Sequence, residues 1–205
     1  MRMAFYFDQS RCMGCNTCTV SCKDWYNVNP GPVRYRKHNT YETDGAGVFY
    51  SFVMSCNHCE DPACMKACGA GAISKRSDGI VVVDRNKCQE LRSCITACPF
   101  AEPGIADDKQ EPLGQDSWIV KHPMQKCNMC VELLDKGEQP VCVRACPAHA
   151  IEIGDYDELL RVHAGSEPLT IDKYPYAWIN NQDTTTGPSL IIKPRRPLTV
   201  FGPNK

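Results

Sequence analysis

The chain has 205 residues with 23 basic and 24 acidic side chains, a formal net charge of −1. No strong field therefore draws it to nucleic acid or to a membrane surface. The length allows one large or two small domains. The longest unbroken aliphatic run, residues 80–83, is far too short to cross a bilayer, and neither a transmembrane segment nor a signal peptide is expected.

In chain order, residues 3–8 alternate weakly and predict a short strand. Cys12, Cys15, Cys18 and Cys22 follow, spaced C-x2-C-x2-C-x3-C. Residues 15–26 carry one or two helical turns, stopped by Asn27-Val28-Asn29-Pro30-Gly31-Pro32. Residues 33–47 read as a connecting excursion, and 48–55 as a strand feeding the second run. That run, Cys56, Cys59, Cys64 and Cys68, is spaced C-x2-C-x4-C-x3-C. Residues 72–83 predict a β-hairpin turned at Asp78-Gly79. A third group has only Cys88, Cys94 and Cys98, and residues 102–117 predict a surface loop. The fourth run is Cys127, Cys130, Cys142 and Cys146. Residues 129–136 predict a short helix ended by Gly137, and 156–162 a second, capped by Asp155 and ended by Gly165. From about residue 166 prolines mix with large apolar residues, too many for a disordered tail. This stretch is expected to lie along a partner rather than to wrap its own domain. Residues 67–73 (ACGAGAI) echo residues 145–151 (ACPAHAI), a sign of a duplicated module.

The four groups use all fifteen cysteines. The first spacing, with Cys98-Pro99 and Cys146-Pro147, is that of cubane iron–sulfur ligation in bacterial ferredoxins, and it implies a protein that carries electrons. Disulfides fit poorly, because an odd count leaves one thiol free. Structural zinc is the stronger rival, yet zinc sites use two well-separated pairs rather than runs this dense. A core that is partly inorganic should leave the apoprotein poorly folded. No Gly-rich phosphate loop, Ser-His-Asp set or carboxylate pair marks a catalytic centre, so no catalytic residue is assigned and a non-catalytic role is expected.

The order of the runs and the stretch Ser55-Cys56-Asn57-His58-Cys59-Glu60-Asp61-Pro62-Ala63-Cys64 resemble the iron–sulfur electron-transfer subunits of the dimethyl sulfoxide reductase branch of the molybdopterin oxidoreductases. Residues 78–84 (DGIVVVD), Tyr156-Asp157-Glu158-Leu159 and Ile191-Ile192-Lys193-Pro194 extend the likeness over nearly the whole chain. The resemblance implies an α+β fold: two ferredoxin-like modules of short strands, short helices and long loops around four clusters, with an extended C-terminal tail. Residues 1–47 and 118–165 would form the first module, 48–117 an inserted second, and 166–205 the tail. Each run would lend its last cysteine to its partner's cluster. Cys12, Cys15, Cys18 and Cys146 would then hold the first cluster, and Cys56, Cys59, Cys64 and Cys98 the second. Cys68, Cys88 and Cys94 would hold the third, and Cys22, Cys127, Cys130 and Cys142 the fourth.

Leu91 stands where the third run should have a cysteine. A leucine cannot ligate iron. The resemblance implies three 4Fe–4S clusters and one 3Fe–4S cluster at this site. A cubane with an oxygen or water ligand, or an empty site, are the alternatives. The implied partners are a large molybdopterin catalytic subunit and a membrane anchor or another electron carrier, with no nucleic acid. The chain would be cytoplasmic, or exported with a signal-bearing catalytic subunit. A free-standing polyferredoxin and a zinc-binding interaction module are the rival functions. His58 is expected to hydrogen-bond or face solvent rather than to bind iron, and His38, His122, His149 and His163 show no metal spacing. Lys23, Lys66, Lys126 and Arg144, beside ligand cysteines, are either solvated or raise cluster potentials. Trp25 and Trp118 are expected to pack rather than to relay electrons.

Overall fold

The first strand is wanted on both its edges and both its faces. β1 (Met3–Asp8) pairs antiparallel with β6 (Ile151–Asp155) and parallel with β8 (Leu190–Lys193), and β7 (Glu167–Pro168) closes the far edge of the sheet. Phe5 and Phe7 join the main core with Leu190 and Ile192, while Ala4 and Tyr6 pack with Ile191 and Leu159 on the other face. A strand covered on both faces loses its apolar–polar alternation, which explains the weak pattern in residues 3–8. These elements come from a computed structural model that describes residues 1–42, 49–170 and 186–195.

Helix α6 (Tyr156–Val162) supplies the cover for the Tyr6 face. Asp155 caps it as expected, its Oδ1 accepting from the backbone N–H of Asp157 at 3.1 Å and of Glu158 at 3.3 Å. The expected hairpin is β4 (Ile73–Lys75) against β5 (Val81–Val83), with Gly79 at φ 85° in the turn.

Two expectations fail. The excursion at 33–47 contains a strand, β2 (Arg36–Glu42), paired antiparallel over its whole length with β3 (Phe49–Ser55). Its sequence is polar because the apolar side chains of the ladder come from the partner strand. The loop at 102–117 has no regular element, but it is not confined to the surface: Glu102, Ala106 and Gln110 are buried. Gln110 side-chain atoms accept from Val33 N–H and donate to the carbonyls of Val33 and Asn29, so the loop is tied down by polar contacts that leave no periodicity.

The other helices are short: α1 (Thr17–Trp25), α2 (Ala63–Lys66), α3 (Ser93–Ala97), α4 (Val131–Leu134) and α5 (Val141–Arg144). α2 and α5 are copies in detail. Each has a proline at its N-cap, Pro62 and Pro140, and an alanine at its C-cap with φ −80°. Each is followed by a cysteine, a residue of positive φ (Gly71, His149) and an isoleucine that opens a strand. The internal echo is thus one local structure used twice.

Of the stretch from residue 166, Leu190–Lys193 lies between β1 and β7, and Ile191 and Ile192 are fully buried. Residues 171–185 and 196–205 lie outside the described residues. If the late strand is part of the core, Ile192→Ala should destabilise the cluster-loaded protein by about 3 kcal/mol. A loss below about 0.5 kcal/mol in denaturant unfolding, the range of surface substitutions, would detach it from the core.

Candidate metal centres

The cysteine runs are built on backbone that side chains normally avoid. Of nine non-glycine residues with positive φ among those described, six lie inside the runs: Asn16, His58, Glu90, Arg92, Met129 and Cys130. Such left-handed turns curl the chain so that peptide N–H groups face sulfur. Met129 N donates to Cys127 Sγ at 3.4 Å, and Ala150 N, just after His149, to Cys146 Sγ at 3.3 Å; from outside the runs, Met124 N donates to Cys88 Sγ at 3.3 Å.

Two of the expected ligand sets ring cavities. Cys12, Cys15, Cys18 and Cys146 line one, with Phe7, Val53 and His38 beside them. Cys56, Cys59, Cys64 and Cys98 line the other, with His58, Val81, Phe100 and Glu102. Each cavity therefore gathers three cysteines of one run and the last cysteine of a distant one. The other two sets are brought together without a described cavity. Cys22 is pushed up by burial and by the thiols of Cys127, Cys142 and Cys130. Cys94 is pushed up by burial and by Cys68 and Cys88. Cys56 also acts on Cys127, so the sets adjoin.

Burial pushes Cys59, Cys64, Cys98 and Cys127 up to about 12, so each is a neutral thiol at neutral pH until a metal displaces its proton. Cys15 is the exception: it is exposed, and hydrogen bonds from the Thr17 hydroxyl and backbone hold it below the ordinary thiol range. Among the described residues no three His, Cys, Asp or Glu side chains converge on the point that a single metal ion needs. The donors fit a larger group. Soft sulfurs ring a space rather than a point, and His38 and His58 each keep a buried Nε2 with no partner among the described residues.

Leu91 stands in the third run as Cys15 does in the first. The next residue, Arg92 at φ 61°, ψ −7°, repeats Asn16 at φ 62°, ψ 3°, and a helix begins one residue later in both. The Leu91 side chain is 57% exposed.

Of the four cations beside cysteines, Lys126 alone is buried, its Nζ donating to the carbonyls of Val81 and Cys127. Lys23 donates to the carbonyls of Val28 and Asn29, and Lys66 and Arg144 form exposed pairs with Asp61 and Glu138. Sequence reasoning missed Arg36, which is buried in β2. Its Nη2 donates to Ser55 Oγ at 3.2 Å, and its guanidinium stands 4.6 Å from the Phe5 ring. Burial opposes its charge, but the thiols of Cys142, Cys18, Cys127 and Cys22 outweigh that and raise its pKa. Glu102 was missed too: burial lifts its carboxyl to about 7 against the pull of Lys37, 3.4 Å away. Trp25 donates to Glu132 and Trp118 packs under Arg85, contacts of packing residues. No helix among the described residues is long and apolar enough to cross a membrane.

A family model described as a 4Fe-4S dicluster domain matches residues 48–156, which hold the second, third and fourth runs. The protein is 37% identical over 200 residues to the B subunit of the anaerobic dimethyl sulfoxide reductase of Escherichia coli (strain K12), covering 93% of its own length and 87% of that subunit. It is also similar to the thiosulfate reductase electron transfer subunit of Salmonella typhi, at 34% identity over 161 residues and 74% of each protein. The arsenate respiratory reductase iron-sulfur subunit of Shewanella sp. (strain ANA-3) is 29% identical over 197 residues, with 77% and 83% covered. Likeness of this extent, falling on a sequence whose cysteines gather as they do here, makes the protein a member of the family of iron–sulfur electron-transfer subunits to which the B subunit of dimethyl sulfoxide reductase belongs.

Proposed function

We propose that the chain holds four iron–sulfur clusters in two ferredoxin-like modules and passes electrons to or from a molybdopterin catalytic subunit. The observation that carries this reading is the crossing of the runs: two cavities, each lined by four cysteines, take their fourth cysteine from a distant run. Crossed donation of this kind suits paired cubanes. Cys12, Cys15, Cys18 and Cys146 hold the first 4Fe–4S cluster; Cys56, Cys59, Cys64 and Cys98 the second; Cys22, Cys127, Cys130 and Cys142 a further one. Cys68, Cys88 and Cys94 hold a 3Fe–4S cluster, since Leu91 occupies the corner where a thiolate would stand. Residues 1–47 with 118–165, and residues 48–117, are the two modules.

Iron–sulfur clusters supply one-electron transfer without bond chemistry on the protein. What the chain itself does is hold, insulate and charge their surroundings. Phe5, Phe7, Phe52, Ile80 and Phe100, all buried in the main core with its cysteines, keep water away. Arg36 and Lys126 supply buried positive charge that favours the reduced state. Cys15 and Leu91 are exposed, so both the first and third sites open to the surface where a partner can approach. The names of the relatives, all components of reductases, support a catalytic partner and leave room for a membrane anchor or a second carrier. Partner contact falls to the tail, residues 166–205, of which 171–185 and 196–205 lie outside the described residues.

Four measurements test this. Iron analysis should return about fifteen irons per chain, from three cubanes and one three-iron cluster; about four zincs with little iron would end the reading. Cys98→Ala should remove the same paramagnetic signal as Cys56→Ala, and Cys146→Ala the same as Cys12→Ala, each with a loss of about four irons. Distinct signals lost within either pair would undo the crossed assignment.

The oxidised protein should also show a sharp signal near g of about 2.0, integrating to roughly one spin, which Leu91→Cys abolishes. Full iron without that signal in the wild type points to a cubane with a non-cysteine ligand. Deleting residues 196–205 should release the chain from its large subunit with its iron intact. A complex that survives the deletion returns that segment to its own domain.

A further inference from the structure

His58 sits between Cys56 and Cys59 with 1% of its surface exposed, at φ 42°. Its Nδ1 accepts the backbone N–H of Val81 at 3.0 Å. An imidazole nitrogen that accepts carries no proton, so the ring is neutral and its proton is on Nε2. That Nε2–H is buried and has no partner among the described residues. The neighbouring Lys126 cannot supply one, because its ammonium is itself only a donor and is spent on the carbonyls of Val81 and Cys127. A buried donor left without an acceptor is costly, and native structures rarely keep one. His58 and Val81 both line the cavity ringed by Cys56, Cys59, Cys64 and Cys98. That wall also carries the oxygens of Asn57, Glu102 and Thr186, but Nε2 bonds none of them, which leaves it for the group the four cysteines hold.

The fourth run contains a built-in comparison. Cys127-Asn128-Met129-Cys130 repeats Cys56-Asn57-His58-Cys59, and Met129 is likewise fully buried at positive φ, 58°. The same turn therefore presents an imidazole donor to one site and an apolar thioether to the other.

We infer that His58 donates a hydrogen bond from Nε2 to a sulfur of the group held by Cys56, Cys59, Cys64 and Cys98, and so raises the reduction potential of that site above the value an apolar side chain such as that of Met129 would leave it. The inference rests on the cluster reading above. A donor aimed at sulfur stabilises the form with the extra electron, because that form is the more negative acceptor. Val81 is the positioning element: its N–H fixes the tautomer, and β5 fixes Val81. His58 is a tuning residue and not an iron ligand.

The test exchanges the two side chains in the full chain, with potentials read by redox titration followed by electron paramagnetic resonance. His58→Met installs the side chain that this fold already accepts at the matching turn. It should lower the potential of one signal, the one lost in Cys56→Ala, by a tenfold change in reduced-to-oxidised ratio, about 59 mV for one electron. The signals lost in Cys12→Ala and Cys22→Ala should not move. Met129→His should raise the potential of the Cys22 site. A fully iron-loaded His58→Met with unmoved potential overturns the inference, as does an equal shift of every signal.

Should His58→Met fail to hold its cluster, wild-type protein labelled with 15N-histidine carries the test. The reduced site should show hyperfine coupling to one imidazole nitrogen and to one exchangeable proton. Their absence from a reduced, fully loaded site overturns the proposal. Wild-type chain without iron would instead overturn the cluster reading on which it stands.

Discussion

Ten of the fifteen cysteines are buried, in a chain whose aromatic residues are only 8% of the whole, and burial raises the pKa of Cys18, Cys22, Cys64, Cys94, Cys98, Cys127 and Cys130 among them. A thiol is a small apolar group and packs without difficulty. A thiolate in the same place needs a cation against it. Much of the structure answers that requirement: cysteines of distant runs line shared cavities, and the main core mixes cysteine with aliphatic and aromatic side chains. Residues more than a hundred positions apart, such as Cys12 and Cys146, are thereby held on one wall.

The backbone accommodates this through repeated local devices rather than long elements. Left-handed residues inside the runs would be a liability in an ordinary loop. Here they turn N–H groups onto sulfur, and short helices such as α2 and α5 hold the next cysteines at the required spacing. The strands do the long-range work. β1 is clasped by β6 and β8, and the β2–β3 ladder ends on Arg36 opposite Ser55, next to Cys56.

Charge is placed with the same economy. Arg36 and Lys126 are buried cations, and Lys37 is occupied with Glu102, itself lifted by burial toward neutrality. Among the described residues no carboxylate lies within 4.0 Å of Arg36 or Lys126. Clusters held by thiolates are anionic, so the interior is prepared for negative charge before an electron arrives.

Much of this was legible in the residues. The spacing of cysteines declared the chemistry, because iron ligation tolerates few spacings. The Asp155 cap, the hairpin at Asp78-Gly79 and the copied helices at 62–67 and 140–145 follow from local rules that need no tertiary context. Leu91 was visible as a break in a pattern, and the turn at Arg92 shows the pattern's geometry kept around it. Arg36, His38, Glu102 and β8 were decided by the tertiary structure. β2 is polar along its length and becomes a strand only because β3 pairs with it. Ile191 and Ile192 look like the apolar content of a tail until β1 takes them into its sheet. Arg36, His38 and Glu102 carry no motif, since a charge or an imidazole becomes part of a site through what surrounds it. Those surroundings are assembled from distant segments, by burial and long-range pairing that spacing along the chain does not encode.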